Sequence, residues 1–158
     1  MKIVLKTLIF LLLINTTQLL ANDNPQEIGS SIVYSTEEES WEDVNESVKE
    51  AIINKGIVIS YTSHVMKLLE RTAKMLGKKQ DAYKNAQIHL FCQVSLSTKM
   101  YKSNPHIITG CPYGISVYEL QSKPGTIYVS YRKAPVEEPA FADVAKLQDS
   151  IVRDALDL

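Results

Sequence analysis

Cysteine is scarce: Cys92 and Cys111 are the only two in 158 residues. No CxxC brings them together, so the local arrangement of a fast dithiol exchanger is missing. The CxxCH that attaches c-type haem is missing too. A closed zinc site needs four protein ligands; the chain offers only two cysteines and three histidines besides its carboxylates, and the spacing from His106 to Cys111 matches no zinc signature. There is no GxSxG, GxGxxG or Walker loop, which removes the common signals for a hydrolase nucleophile, a dinucleotide and a phosphate cradle. Basic charge is not in excess either, with 17 Lys and Arg against 18 Asp and Glu. That balance argues against nucleic acid, whose backbone attracts strongly basic faces. Long apolar runs are absent: the longest stretch near the start, Leu8 to Ile14, falls far short of the roughly 20 residues a membrane-spanning helix needs.

What is present at the amino terminus has another meaning. "MKIVLKTLIFLLLINTTQLLA" runs from basic residues, Lys2 and Lys6, through the apolar stretch to a small residue, Ala21. This order is that of a secretory signal. Residues 1–21 are therefore expected to be a cleaved signal peptide, leaving no stable membrane span. No cysteine follows the apolar stretch to carry a lipid anchor. The remaining 137 residues hold 15 basic and 18 acidic side chains. They suit one domain in the bacterial periplasm or secreted medium, an oxidising setting in which disulfides persist.

Periodicity then divides the chain. Residues 22–34 read as a flexible lead, "NDNPQEIG", and a first strand, "SSIVYS"; residues 35–158 read as a single domain. "STEEESWEDVNESVKEAIINKG" predicts a helix, with Thr36 and Glu39, or Ser35 and Glu38, as a capping box. Its stripe is Trp41, Val44, Val48 and Ile52, and Gly56 ends it. "IVISY" predicts a strand, and "TSHVMKLLERTAKMLGKK" a second helix capped by Thr62 or Ser63. "AQIHLFCQV" reads as a strand, and "LSTKMYKSNP" as a short helix or turn that Pro105 terminates. "GISVYEL" and "GTIYVSYR" form a hairpin around "QSKPG", and a last helix covers roughly residues 140–155. The expected fold is an α/β two-layer sandwich, with a mixed or antiparallel sheet and helices on one face.

Several of these segments carry a resemblance. Lys55-Gly56 at the strand entry, His64 after that strand, Asn104-Pro105, and the closing run Tyr128 to Tyr131 resemble the pattern of the domain-of-unknown-function 302 (DUF302) family. The likeness covers roughly Ser35 to Lys133. It implies a small α/β domain that commonly pairs as a homodimer, and it implies no particular reaction. The two cysteines set this chain apart as an exported subtype.

The candidate site residues follow from chemistry and position. Cys92 and Cys111 lie on or beside two strands, and adjacent strands can bring them into disulfide range. Separate core thiols and reactive thiols are the alternatives. His64, at the start of a helix, offers a ring nitrogen that can ligate haem iron or another metal, act as an acid or base, or simply hydrogen-bond locally. His106, in "NPHIITGCPYG", can share a loop pocket with Cys111 and Tyr113. Met66, with Met75 and Met100, can enclose a non-covalent haem or simply fill a core. His64, His106, Met66 and Tyr113 thus make the expected cofactor set.

Strand parity sets His89 and Phe91 on the face opposite Ile88, Leu90 and Cys92, and His89 is expected at the surface or a dimer face. Asn45-Glu46-Ser47 is a glycosylation pattern in an outward helix region. Tyr113, Tyr118, Tyr128 and Tyr131 are expected to cluster around the hairpin, as cross-strand packing or as an interface. The functional expectation is an exported small-ligand-binding or accessory protein, with haem as one ligand. The alternatives are a structural or protein-interaction domain without a small ligand, and an envelope thiol-redox protein.

Overall fold

The computed structural model describes residues 24–135 and 137–158; the expected signal peptide lies outside them. The elements in chain order are β1 (Gln26–Ile28), β2 (Ser31–Thr36), α1 (Trp41–Asn54), β3 (Ile59–Ser63), α2 (Val65–Met75), β4 (Tyr83–Phe91), α3 (Val94–Ser103), β5 (Tyr113–Leu120), β6 (Lys123–Arg132) and α4 (Ala142–Ala155). Short 3-10 helices, Pro105–Gly110 and Pro139–Phe141, precede β5 and α4. The six strands form one antiparallel sheet in the order β1-β2-β6-β5-β4-β3. The α/β sandwich is as the patterning predicts, and the sheet is the antiparallel alternative.

Alternation in β5 shows how the sheet acquires its faces. Tyr113, Ile115, Val117 and Glu119 are buried beneath the helices, and the residues between them are less so. Against that face pack Val44, Val48 and Ile52 of α1 and Val144, Ile151 and Val152 of α4. Together with Tyr34, Phe91, Ile127 and Val129 they make one continuous core. Gly56 and Gly77 adopt φ of +73° and +63° after α1 and α2, a conformation that costs other residues more than glycine.

Four local expectations change. Ser40 caps α1, accepting from the Asp43 N–H at 3.1 Å, in place of the Thr36/Glu39 or Ser35/Glu38 boxes. The reason is tertiary: Ser35 and Thr36 are taken up by pairing with β6, so Glu37 to Glu39 form a bend before the helix. The lead contains a strand, β1, which folds back on β2 across Gly29. Neither Thr62 nor Ser63 caps α2, because β3 extends through both; His64 takes the cap position without a side-chain cap bond. Finally, β4 stops at Phe91, and Gln93 caps α3 by accepting from Leu96 N–H at 2.7 Å.

One carboxylate of the carboxyl-terminal helix gathers three donors. Asp149 Oδ1 accepts from the Tyr34 hydroxyl at 2.5 Å and the Tyr131 hydroxyl at 2.9 Å, while Oδ2 accepts from Arg153 Nε at 3.0 Å. The Arg153 guanidinium also lies 5.5 Å from the centre of the Tyr34 ring. Burial alone would raise the Asp149 carboxyl, but these donors outweigh it and hold it below its usual range. The same burial, with the carboxylate beside it, pushes Tyr34 up to about 12. Asp149→Ala strands two buried hydroxyls, so urea denaturation is expected to show a loss of about 2 kcal/mol. Asp149→Asn, which keeps an acceptor, should lose about half as much; equal stability of all three proteins would remove the clamp from the account.

Candidate functional site

The end of the sheet where β4 stops and β5 starts gathers two aromatic rings and both cysteines. Phe91 and Tyr113 are cross-strand partners there, with rings edge to face at 5.9 Å. Cys92 follows directly, and Cys111 precedes β5 by two positions. They form a disulfide with Cα atoms 5.8 Å apart, within the range such bonds require. The bridge closes the loop that carries α3 and the 3-10 helix Pro105–Gly110.

Tyr113 is buried, and its hydroxyl shares a 2.8 Å hydrogen bond with the Ser97 hydroxyl. Burial pushes that phenol up from its ordinary value. Gly110 sits so close to Phe141 and Met100 that a Cβ there would lie 2.5 Å from the Phe141 ring and 2.7 Å from the Met100 methyl. The loop therefore rests directly on the entry to α4.

Beside this loop runs an open groove of about 670 Å³. One wall is the loop itself, with His106, Ile107, Thr109 and Gly110. Ile88 and Leu90 of β4, Gly114 and Ser116 of β5 and Ser130 and Arg132 of β6 line it on the sheet side. Phe141, Val144 and Ala145 line it from the start of α4. Its volume is within the span typical of small-ligand pockets, roughly 300–1,000 Å³.

The structure divides the expected cofactor set. His106 and Tyr113 line the groove, and His64 and Met66 do not. His64 is exposed at the start of α2. Met66 Sδ lies 3.3 Å from Gln80 Nε2, which also donates to the Tyr83 carbonyl. Nor do the methionines converge: Met100 is in the core and Met75 is exposed. Among the described residues, no group of three His, Cys, Asp or Glu side chains is placed to hold a metal ion.

Two outward placements are overturned together. His89 is fully buried and Asn45 nearly so. They meet beneath α1, where His89 Nε2 is 2.9 Å from Asn45 Oδ1 and His89 Nδ1 is 3.1 Å from Thr62 Oγ1. Asn45 thus faces the sheet, not solvent, and its amide is engaged in packing. Desolvation, with Lys49 nearby, lowers the imidazole to about 4, so it is neutral at ordinary pH. The tyrosine cluster also splits by parity. Tyr113 and Tyr131 point into the core, whereas Tyr118 and Tyr128 stack with centroids 5.2 Å apart and Tyr83 meets Tyr118 edge on at 5.7 Å.

Two further charged groups take their roles from the fold. Glu119 is buried, accepting from Lys84 Nζ at 2.9 Å, Asn85 Nδ2 at 3.0 Å and Gly125 N–H at 2.9 Å. Burial would raise this carboxyl, but the Gly125 N–H, Lys84 and Asn85 hold it below its usual range. It is a hairpin fastener. Arg132 is the other, in the groove; its parity, one step from inward Tyr131, was the available signal.

Comparison with known proteins bears on the fold and family. A search of curated proteins finds no match. Among solved structures, the crystal structure of an uncharacterized conserved DUF302 protein from Bacillus stearothermophilus is similar, with a TM-score of 0.64 at 13% sequence identity. The likeness covers 81% of this chain and 99% of that one; at this identity it supports the fold alone. The family model described as domain of unknown function DUF302 matches residues 32–157. The chain therefore belongs to the DUF302 family.

Proposed function

We propose that this protein is an exported accessory protein that binds a small ligand in the groove beside the Cys92–Cys111 loop. The observation that carries this reading is the groove's mixed lining. Apolar side chains from β4 and α4 and small or polar ones from β5 and β6 line it together, and a disulfide-closed loop forms the adjoining wall. Such a lining excludes water over part of a ligand and orients the rest by a few polar contacts. A stapled wall lowers the ordering cost of binding. A haem taken here would find its imidazole in His106, because His64 and Met66 lie outside the groove.

A second property, pairing with another copy of the chain, is favoured by α2. None of its residues is buried, and Leu68, Met75 and the following Leu76 are exposed. Among the described residues, no helix is long and apolar enough to cross a membrane.

The test is native mass spectrometry with an absorption spectrum, on protein purified from the periplasm of an expressing bacterium. The expected spectrum shows a chain beginning near Asn22, a dimer mass, and a small molecule that leaves on denaturation. Haemin added to emptied protein should raise a Soret band that His106→Ala loses and His64→Ala keeps. Ser116→Phe, which fills the groove from β5, should release any occupant. Protein that emerges empty, ignores haemin and melts unchanged with small amphiphiles would overturn the binding reading.

A further inference from the structure

The chemistry along the groove narrows the class of ligand, an inference that rests on the binding reading above. Parity puts Arg132 and Ser130 of β6 on the sheet face away from α1 and α4, with Ser116 and Gly114 of β5 and Ser31 of β2. The register sets Ser31 opposite Arg132 and Ser130 opposite Ser116. It also sets Ser116 opposite Ile88 and Gly114 opposite Leu90. A polar corner therefore adjoins an apolar strip directly, across a single strand spacing.

The charge of this corner runs against that of the chain. The whole sequence is net −1, yet the groove is lined by two cations, Arg132 and Lys133, and one carboxylate, Glu138. Lys133 is occupied by Glu27. Arg132 has no ion-pair partner among the described residues, Glu138 included. A guanidinium left without a carboxylate, with serine hydroxyls beside it, matches a planar or tetrahedral oxyanion, which it can grip through two parallel N–H bonds. Ile88 and Leu90 continue from that point and have no use for a bare inorganic anion. They offer contact to an apolar body.

We propose that the groove takes an anionic amphiphile, a carboxylate or phosphate monoester on a short apolar body, with Arg132 as the anchor for its head. Ser31 and Ser116 supply hydroxyl contacts, and Ile88 and Leu90 receive the body. Lys133 contributes less, because Glu27 already holds it.

The experiment is calorimetric titration of the exported, disulfide-bonded protein with octanoate, octyl phosphate, octanol and inorganic phosphate. One or both octyl anions should bind at least tenfold more tightly than octanol and than inorganic phosphate. Their order then distinguishes carboxylate from phosphate recognition. Arg132→Gln should weaken the octyl anions about tenfold or more and leave octanol unchanged, whereas Lys133→Gln should change them less than threefold. Octanol binding as tightly as octanoate and octyl phosphate, or an indifferent Arg132→Gln, overturns the anion assignment while the groove reading stands. Inorganic phosphate binding as tightly as octyl phosphate overturns the apolar part. Octyl anions that still bind to folded Ser116→Phe place their site elsewhere and overturn the assignment to this groove. No binding by any probe, in protein that also carries no native occupant, overturns both readings.

Discussion

Replacing both Cys92 and Cys111 with serine is expected to lower the stability of this protein by about 3 kcal/mol, the loop-closure value for a loop of this length. The bridge joins positions 19 apart in sequence. What it closes is a loop of α3 and a 3-10 helix that meets the rest at specific points. The Ser97 hydroxyl meets Tyr113, Met100 enters the core, and Gly110 lies against Phe141. In the reduced unfolded chain that loop explores far more conformations, which is where most of the cost arises in the chain-entropy account. The urea midpoint should fall by roughly 1–3 M, given a slope of about 1–3 kcal/mol/M. Reduced wild-type protein should match the double serine variant. Amide exchange should quicken first in residues 92–111, the loop freed by the change, and later in β5 and β6. If the oxidised and reduced proteins unfold at the same urea concentration, the staple contributes nothing to stability. Rapid exchange confined to α2 in both forms would lead to the same conclusion.

The disulfide also marks the limit of what local pattern conveys. The alternation of "GISVYEL" and the helical stripe of Trp41, Val44, Val48 and Ile52 are properties of short windows, and they fold as they read. That Cys92 and Cys111 meet depends on β4 and β5 being neighbours in register, with Phe91 opposite Tyr113. Spacing alone does not exclude separate thiols. His89 is more instructive. Its parity with Phe91 holds, but both face inward and are fully buried, where a surface or dimer-face position is expected for the histidine. In the fold Ile88 and Leu90 line the groove, while the inward face accepts a histidine by giving it Asn45 and Thr62. A hydrogen-bonded polar side chain can occupy a core position that hydropathy assigns to its neighbours. The groove was legible only in part. Of the pocket expected in "NPHIITGCPYG", His106 and Tyr113 line the groove, and Cys111 does not. Arg132 is not legible from its own segment, since a cation at the end of a strand looks like solvent-facing punctuation until β2 and β5 are laid beside β6. His64 and Met66 lie outside the groove, and nothing local says how far α2 stands from that loop.

The buried imidazole leads to the second large effect, a loss of stability in mild acid. His89 is lowered from 6.5 to about 4, chiefly by desolvation and then by Lys49; Glu46 opposes the shift and His64 adds slightly to it. With a neutral ring, one nitrogen donates to Asn45 Oδ1 and the other accepts from the Thr62 hydroxyl. A proton on both nitrogens would turn Nδ1 into a donor and place a charge beneath α1. Because the folded value lies below the unfolded one, the unfolded chain takes up the proton first. Stability is therefore complete above about pH 6.5 and declines as the pH falls toward 4. The expected loss from this group is about 2 kcal/mol by pH 5 and about 3 kcal/mol by pH 4. Asp149 and Glu119 add to the decline only at lower pH, since both carboxyls are held below their usual range. The window between pH 6.5 and 5 therefore isolates the histidine.

Urea denaturation of wild-type protein across that window should show the loss, and His89→Gln, which cannot titrate, should follow a nearly flat line from a lower starting stability. Proton resonances of the folded imidazole should stay still until the pH is below 5. A His89 ring that titrates near 6.5 while the protein is folded, or a glutamine variant with the wild-type slope, would show that the Asn45–His89–Thr62 contact does not control acid stability.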